Sequence, residues 1–241
     1  MAAWPGLDCL TLDGWHLRFG EGHTKRANSA TLLRNGGVDP AIRLAKCDQW
    51  FAARHLTPCV RLSDFADDAT AGALERAGYG PRFDTTVTLW RPLVDAEKPV
   101  PTVEITTGSP NLDWLNAKDR ISQDSHADTV ARRNILAAIK IPTAYGALRG
   151  PDGTIASLAY VGVHERIASL NMVATDPLMR GLHMAEIVCA TLLAWAKNEA
   201  GAVEACLQAV EANVPARRLY ARMGFGSPVY RYHYRSKDVA L

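Results

Sequence analysis

Asp176-Pro177-Leu178-Met179-Arg180-Gly181-Leu182-His183-Met184-Ala185 and, 28 residues further on, Asn213-Val214-Pro215-Ala216-Arg217-Arg218-Leu219-Tyr220-Ala221-Arg222-Met223-Gly224-Phe225 decide how this chain folds. The first stretch sits between a strand and a helix. Ile167 to Thr175, with Leu170, Met172 and Val173, suits a strand, and Asp176-Pro177 closes it because proline cannot continue a ladder. Met184, Ile187, Val188, Thr191, Leu192 and Trp195 then recur at helical spacing, with Glu186, Lys197 and Asn198 off that stripe. In the second stretch, Val203 to Val210 reads as a strand, Asn213 as an N-cap, Pro215 as a first-turn residue and Gly224 as a C-cap. Pro228 to Arg235 alternates Tyr230, Tyr232 and Tyr234 with Arg231, His233 and Arg235, which is strand periodicity. Those tyrosines suit either an acceptor pocket or a strand face packed on a helix.

Upstream, Thr102 to Thr107, Thr143 to Leu148 and Thr154 to Val163 read as strands, and Leu112 to Lys118 and Ala127 to Ile139 as helices. From about Thr102 the order is therefore β-α-α-β-β-β-α-β-α-β. Val94 to Pro101, with two prolines and charged residues, reads as an extended linker. It divides the chain into residues 1–95 and 96–241. The first part is a faint copy of the second. A displacement of 146 residues carries Gly78-Tyr79-Gly80 onto Gly224-Phe225-Gly226 and, without a gap, Arg34-x-x-Gly37 onto Arg180-x-x-His183. The helix Pro40 to Arg54 and the strand Pro58 to Leu62 fall in the same register. In this alignment Leu74 replaces Tyr220, Asp67 replaces Asn213 and Asp39 replaces Ala185, and the first copy lacks room for the opening elements of the second.

The 241 residues, 48% hydrophobic, can bury a substantial core, which argues against disorder. A net charge of +2 from 27 basic and 25 acidic residues, without a basic run, argues against nucleic acid as partner. Five cysteines form no Cys-x-x-Cys pair or zinc-like spacing, so neither a disulfide framework nor a metal site is expected. The N-terminus lacks a signal pattern and no run of about 18 apolar residues occurs, so the expectation is a soluble, cytoplasmic protein with no membrane partner.

The two opening stretches resemble motifs A and B of the GNAT superfamily of acyl-CoA-dependent N-acyltransferases: Arg/Gln-x-x-Gly-x-Gly/Ala at Arg180 to Ala185, and Asn-x-x-Ala-x-x-x-Tyr-x-x-x-Gly-Phe at Asn213 to Phe225. The resemblance implies an α/β (α+β) fold with a central mixed, mostly antiparallel sheet flanked by helices, in a tandem arrangement whose first copy is truncated and degenerate. It also implies an N-acetyltransferase that uses acetyl-CoA as cosubstrate, with direct attack by a primary amine of a small molecule or peptide. Homodimerisation stays open. The one departure in the first motif is His183, which stands where the family has glycine.

A turn that runs into a helix N-terminus offers converging N–H groups and the favourable end of the helix dipole to a pyrophosphate. Arg180, Gly181, Leu182, His183, Met184 and Ala185 have that placement. By the resemblance, Val173 and Thr175 pair their backbone groups with the pantetheine arm, Asn213 belongs to the cofactor site, and Tyr220 protonates the departing sulfur. The imidazole of His183 either points to solvent, contacts a phosphate or crowds the loop. No carboxylate lies on the strand Ile167 to Thr175, so Asn171 or Ser169 could at most hold a water there; Asp124, His126, His164 and Glu165 are base candidates by residue type alone. Cys189 and Cys206 read as packing residues rather than nucleophiles. The rival to an enzyme is a non-catalytic CoA- or acyl-CoA-binding or regulatory module.

Overall fold

The computed structural model describes residues 2–34, 36–93 and 99–237; most of the expected linker, and the 95/96 division with it, lies outside those residues. The chain forms two compact units, one of Met1–Ala3, Thr88–Ala209 and Asn213–Val229, the other of Trp4–Val87, Val210–Ala212 and Tyr230–Leu241. Units and chain halves are thus different divisions.

The first elements are β1 (Asp8–Leu12), β2 (Trp15–Phe19), β3 (Ala30–Leu32), α1 (Pro40–Ala52), β4 (Cys59–Ser63), α2 (Asp68–Arg76) and β5 (Phe83–Pro92). They are followed by β6 (Glu104–Thr107), α3 (Leu112–Ser122), α4 (His126–Ala137), β7 (Thr143–Arg149), β8 (Ile155–His164), β9 (Ile167–Thr175), a 3-10 turn at Pro177–Met179, α5 (Met184–Asn198), β10 (Glu204–Val210), α6 (Val214–Arg222) and β11 (Pro228–Ser236). From β6 onward this is the expected order. Helix α3 runs four residues past Lys118, because Gln123 ends it in the left-handed conformation at φ 54°. Helix α4 is shorter than expected and stops at Ala137.

In the unit that includes α3 to α6, the strand order is β10-β9-β8-β7-β6, antiparallel from β9 to β6 and parallel between β9 and β10. Gly146 lets α5 settle on β7: a Cβ there would stand 3.0 Å from Leu192 Cγ and 3.1 Å from Val188 Cγ1. Both are fully buried, at about 1.5–3 kcal/mol each by transfer. The indole of Trp114 on α3 donates to the Gly146 carbonyl at 3.1 Å, so a helix is fastened to that same strand residue.

In the other unit the order is β1-β2-β3-β4-β11, with β3 and β4 parallel. Trp15, Leu17, Val60 and Leu62 face Leu44 and Phe51 of α1 and Leu74 of α2 in one core. Tyr232 and Tyr234 are on the opposite side, clustered with Cys59 and flanked by Phe83 and Tyr230. The expectation of a tyrosine face packed on a helix is corrected here, since the helices of this unit cover the other set of side chains.

The 146-residue displacement carries α6 onto α2 residue for residue. Asn213 accepts from the Ala216 N–H and Asp67 from the Thr70 N–H, each as N-cap. Gly224 at φ 82° and Gly78 at φ 78° take the left-handed position after each helix, and Phe225 and Tyr79 donate back to the Tyr220 and Leu74 carbonyls, both at 3.0 Å. Asp39 is the N-cap of α1 and accepts from the Ala41 N–H at 2.7 Å, so its carboxylate lies on that helix's amide end.

Candidate active site

Parallel pairing between β9 and β10 runs from Ile167/Glu204 to Leu170/Leu207 and then stops. On the other side of β9, pairing with β8 skips Met172 and Val173: Asn171 faces Tyr160, and the next aligned pair is Ala174 with Leu158. Met172 adopts φ 53°. A non-glycine residue in the left-handed region marks a bulge that redirects the strand. Beyond Leu170, β9 therefore leaves its parallel neighbour, and the backbone at Val173 pairs with neither.

That divergence opens a groove of about 660 Å³. Its walls include Val173, Ala174 and Thr175 of β9, the whole of Arg180 to Ala185, and Asn213 and Tyr220 on the α6 side. All ten residues expected at a cofactor therefore border one cavity, Leu182 with its side chain largely exposed. The turn is built by Asp176, whose carboxylate accepts from the Leu178 N–H at 3.0 Å and is held below the usual carboxylate range by that N–H and by its ion pair with Arg120. Gly181 at φ 81° supplies the left-handed step before the helix.

His183 is the N-cap of α5 at φ 57°, which explains why the motif prefers glycine there. Its imidazole makes no cap bond. It turns outward, exposed, with Nδ1 3.1 Å from Glu186 Oε2. The same carboxylate oxygen accepts from Arg222 Nε at 3.2 Å. Glu186 is held below its ordinary range by the hydrogen bond to His183 and by Arg222, against the opposing effect of desolvation. The first-turn N–H groups of α5 have no intrahelical acceptors. Together with Arg180 they make this end of the groove suited to an anion.

Tyr220 is buried against Phe225, ring centroids 6.1 Å apart, and borders the groove. Among the described residues its phenol has no hydrogen-bond partner, and burial pushes its ionisation well above the ordinary tyrosine range. It stays a proton donor throughout the physiological range. Cys189, fully buried, has its thiol pushed up to about 12 by burial, which leaves it un-ionised and unreactive.

Asn171 does not border the groove; its amide donates to the Ser169 carbonyl at 2.9 Å and to the Ser169 hydroxyl at 3.2 Å, both within β9. Asp124 is in an ion pair with Arg132, His126 opens α4 in solvent, and His164 and Glu165 sit at the β8–β9 hairpin, so none of the four lines the groove. Sequence reading missed Lys118, Glu186 and Arg222. Lys118 comes from α3, and burial lowers its ionisation, an effect reinforced by Arg132. The spacing of Glu186 three residues after His183 was the available signal; nothing local marks Lys118 or Arg222.

The family model described as "Probable histone acetyltransferase Rv0428c C-terminal" matches residues 1–235. The probable histone acetyltransferase Rv0428c of Mycobacterium tuberculosis is 40% identical over 63 residues, which is 26% of this chain and 20% of that protein. The chain thus matches only about a fifth of that relative's length. A GCN5-related N-acetyltransferase from Kribbella flavida is similar in structure with a TM-score of 0.67 at 17% identity, covering 98% of this chain and 91% of that one. A tandem GNAT protein from the clavulanic acid biosynthesis pathway gives 0.62 at 16% identity, covering 94% and 79%. At these identities the structural likeness speaks for the fold alone.

Proposed function

The chain belongs to the Rv0428c C-terminal family, whose matches carry the GNAT acetyltransferase fold, and on that footing we propose that it transfers an acetyl group from acetyl-CoA to a primary amine by direct attack. One observation carries this reading: the unpaired backbone of β9, the amide end of α5 and the Tyr220 phenol all border one groove. The groove fits the group. Its open turn, with Arg180, Gly181 and free helix-end amides, suits a pyrophosphate, and the unpaired strand edge at Val173 to Thr175 suits an amide-bearing arm.

Acetyl-CoA supplies an activated thioester. Residues Arg180 to Ala185 hold its phosphates, with Asn213 fixing the start of α6 so that Tyr220 faces the groove. Tyr220 gives its proton to the departing sulfur, and its raised ionisation keeps that proton available. The acceptor amine must arrive uncharged. No carboxylate of β9 borders the groove, so we assign deprotonation to solvent reached through the groove mouth. The relative's name makes a lysine side chain the first acceptor to test. We further read residues 1–95 as a truncated copy of the same unit, in which Leu74 and Asp39 replace the phenol and an open helix end.

The test is thiol release from acetyl-CoA across a panel of small amines and lysine peptides, with calorimetric binding of CoA alongside. Release above the hydrolysis background supports the enzyme. A second reading, a CoA-binding module without catalysis, draws on His183 and Glu186 at the helix end; binding without release from any amine would favour it.

A further inference from the structure

On the sheet face opposite α1 and α2, strand register brings an unusual set of groups together. Arg18 of β2 donates its backbone N–H to the Ser29 carbonyl, Thr31 of β3 lies beside His16 of β2 and Arg61 of β4, and Tyr234 of β11 lies on the far side of Arg61. Residues paired across strands, and residues two apart along one, share a face. Arg18, Ser29, Thr31, Arg61 and Tyr234 are therefore neighbours on one surface of the sheet.

Arg18 is 1% exposed. Its Nη1 donates to the Trp4 carbonyl at 3.4 Å, while Nε and Nη2 have no partner among the described residues. The buried hydroxyls of Ser29 and Thr31 on the adjacent strand are also unpartnered. The charged groups that act on Arg18 compound the deficit, for Arg61 and Arg26 both repel it. Arg61 is itself buried, its guanidinium 3.6 Å from the Tyr232 ring centre. Burial and Arg61 lower the Arg18 ionisation to about 10, which still leaves it charged at neutral pH. Burial and Arg18 lower the ionisation of His16, and an imidazole offers no negative charge to balance the guanidinium.

A buried guanidinium with cations for neighbours is costly unless an anion completes it. The geometry of the free groups specifies which anion. Nε and Nη2 are two parallel donors on one edge of the guanidinium, the pair that engages both oxygens of a carboxylate. We propose that this face of the sheet is a carboxylate-binding site, in which the Nε/Nη2 edge of Arg18 grips both oxygens and the Ser29 and Thr31 hydroxyls donate to them. Arg61 adds long-range attraction. Tyr234 and Phe83, whose rings are 6.0 Å apart, give the body of the ligand an apolar wall, so an aromatic or aliphatic monocarboxylate fits better than a polar one. The site is independent of the acyl-transfer reading and shares none of its residues.

The experiment is calorimetric titration of the full chain with sodium benzoate, sodium acetate and inorganic phosphate at fixed ionic strength, with chloride as control. Benzoate should bind at one site per chain, acetate more weakly, and phosphate least. Ser29→Ala should weaken benzoate binding by about tenfold, the loss of a hydrogen bond to a charged group. Arg18→Met should abolish it and, by removing an uncompensated buried charge, raise the melting temperature in carboxylate-free buffer. No benzoate binding by the wild type, binding by phosphate alone, or equal benzoate affinity in wild type and Ser29→Ala would each overturn the proposal. Should Arg18→Met fail to fold, Ser29→Ala alone decides.

Discussion

Replacing Tyr220 by phenylalanine separates what the phenol does for the fold from what it does for turnover. The ring packs against Phe225 and is buried, and the substitution keeps both features. The hydroxyl has no protein partner among the described residues, and a buried polar group left in that condition costs about 1–3 kcal/mol. The phenol borders the groove, where solvent reaches part of it, so the lower end applies. Tyr220→Phe should then be as stable as the wild type or gain about 1 kcal/mol, a rise of roughly 2–4 °C in melting temperature for a chain of this size. The aligned position in the first copy carries Leu74, fully buried, whose carbonyl accepts from Tyr79 as that of Tyr220 does from Phe225. A hydroxyl is therefore not needed to build this turn. Turnover should nevertheless fall by about 10²-fold, the lower range for a positioned general acid, with CoA affinity unchanged. Thermal unfolding, CoA titration and thiol-release kinetics under conditions where sulfur departure limits the rate are the assays. Destabilisation by more than about 1 kcal/mol would show that the phenol is structurally bonded after all. Unchanged turnover would return it to the core.

His183→Gly relieves a left-handed residue, worth about 1 kcal/mol, against the added chain entropy of glycine; the variant should be equally or slightly more stable in urea titration and bind CoA at least as tightly, and a loss above about 1 kcal/mol would mean that the contact with Glu186 matters more than the strain. Asn213→Ala and Asp67→Ala should each cost about 1 kcal/mol as lost N-caps; only the first should weaken CoA binding, and equal weakening by calorimetry would contradict placing the site on α6. Burial raises the folded-state ionisation of Cys47, Cys189 and Tyr145 to about 12 and that of Tyr220 and Tyr234 further. Stability carried by these neutral groups is complete below their unfolded values of about 8.5 and 10 and is lost as pH rises above them. The urea midpoint should accordingly decline from about pH 9 upward, less steeply in Tyr220→Phe, and a midpoint constant to pH 11 would refute the burial of these groups.

Much of the second half was legible because its punctuation is local. Asn213, Pro215 and Gly224 each act within one turn of their own helix, and the alternation of strands and helices from Thr102 to Arg235 needs no knowledge of distant partners. The division into units was not legible, since β5 and β11 are each divided between the two units, and strand pairing is decided by residues far apart in sequence. Arg18 was equally hidden: beside Trp15 and Leu17 it reads as the solvent side of an alternating strand, and only the finished structure buries it.

Two of the residues that resist a local reading share a place. Met172 at φ 53° and His183 at φ 57° are non-glycine residues in the left-handed region, the first on the strand that forms one wall of the groove and the second at its helix end. A methionine carries no sequence signal for that conformation, and each such residue costs of order 1 kcal/mol that the surrounding packing must offset. The bulge at Met172 is what separates β9 from β10, and the turn at His183 is what aims the α5 amides into the gap. Local preference is overruled at these two points, where the groove is shaped, and also at Thr24, Gln123 and six other non-glycine residues outside it, while the caps of α2 and α6 follow the ordinary rules. At Met172 and His183 the backbone conformation follows the shape of the groove rather than the residue's own preference, as expected where a site, rather than stability, determines the backbone.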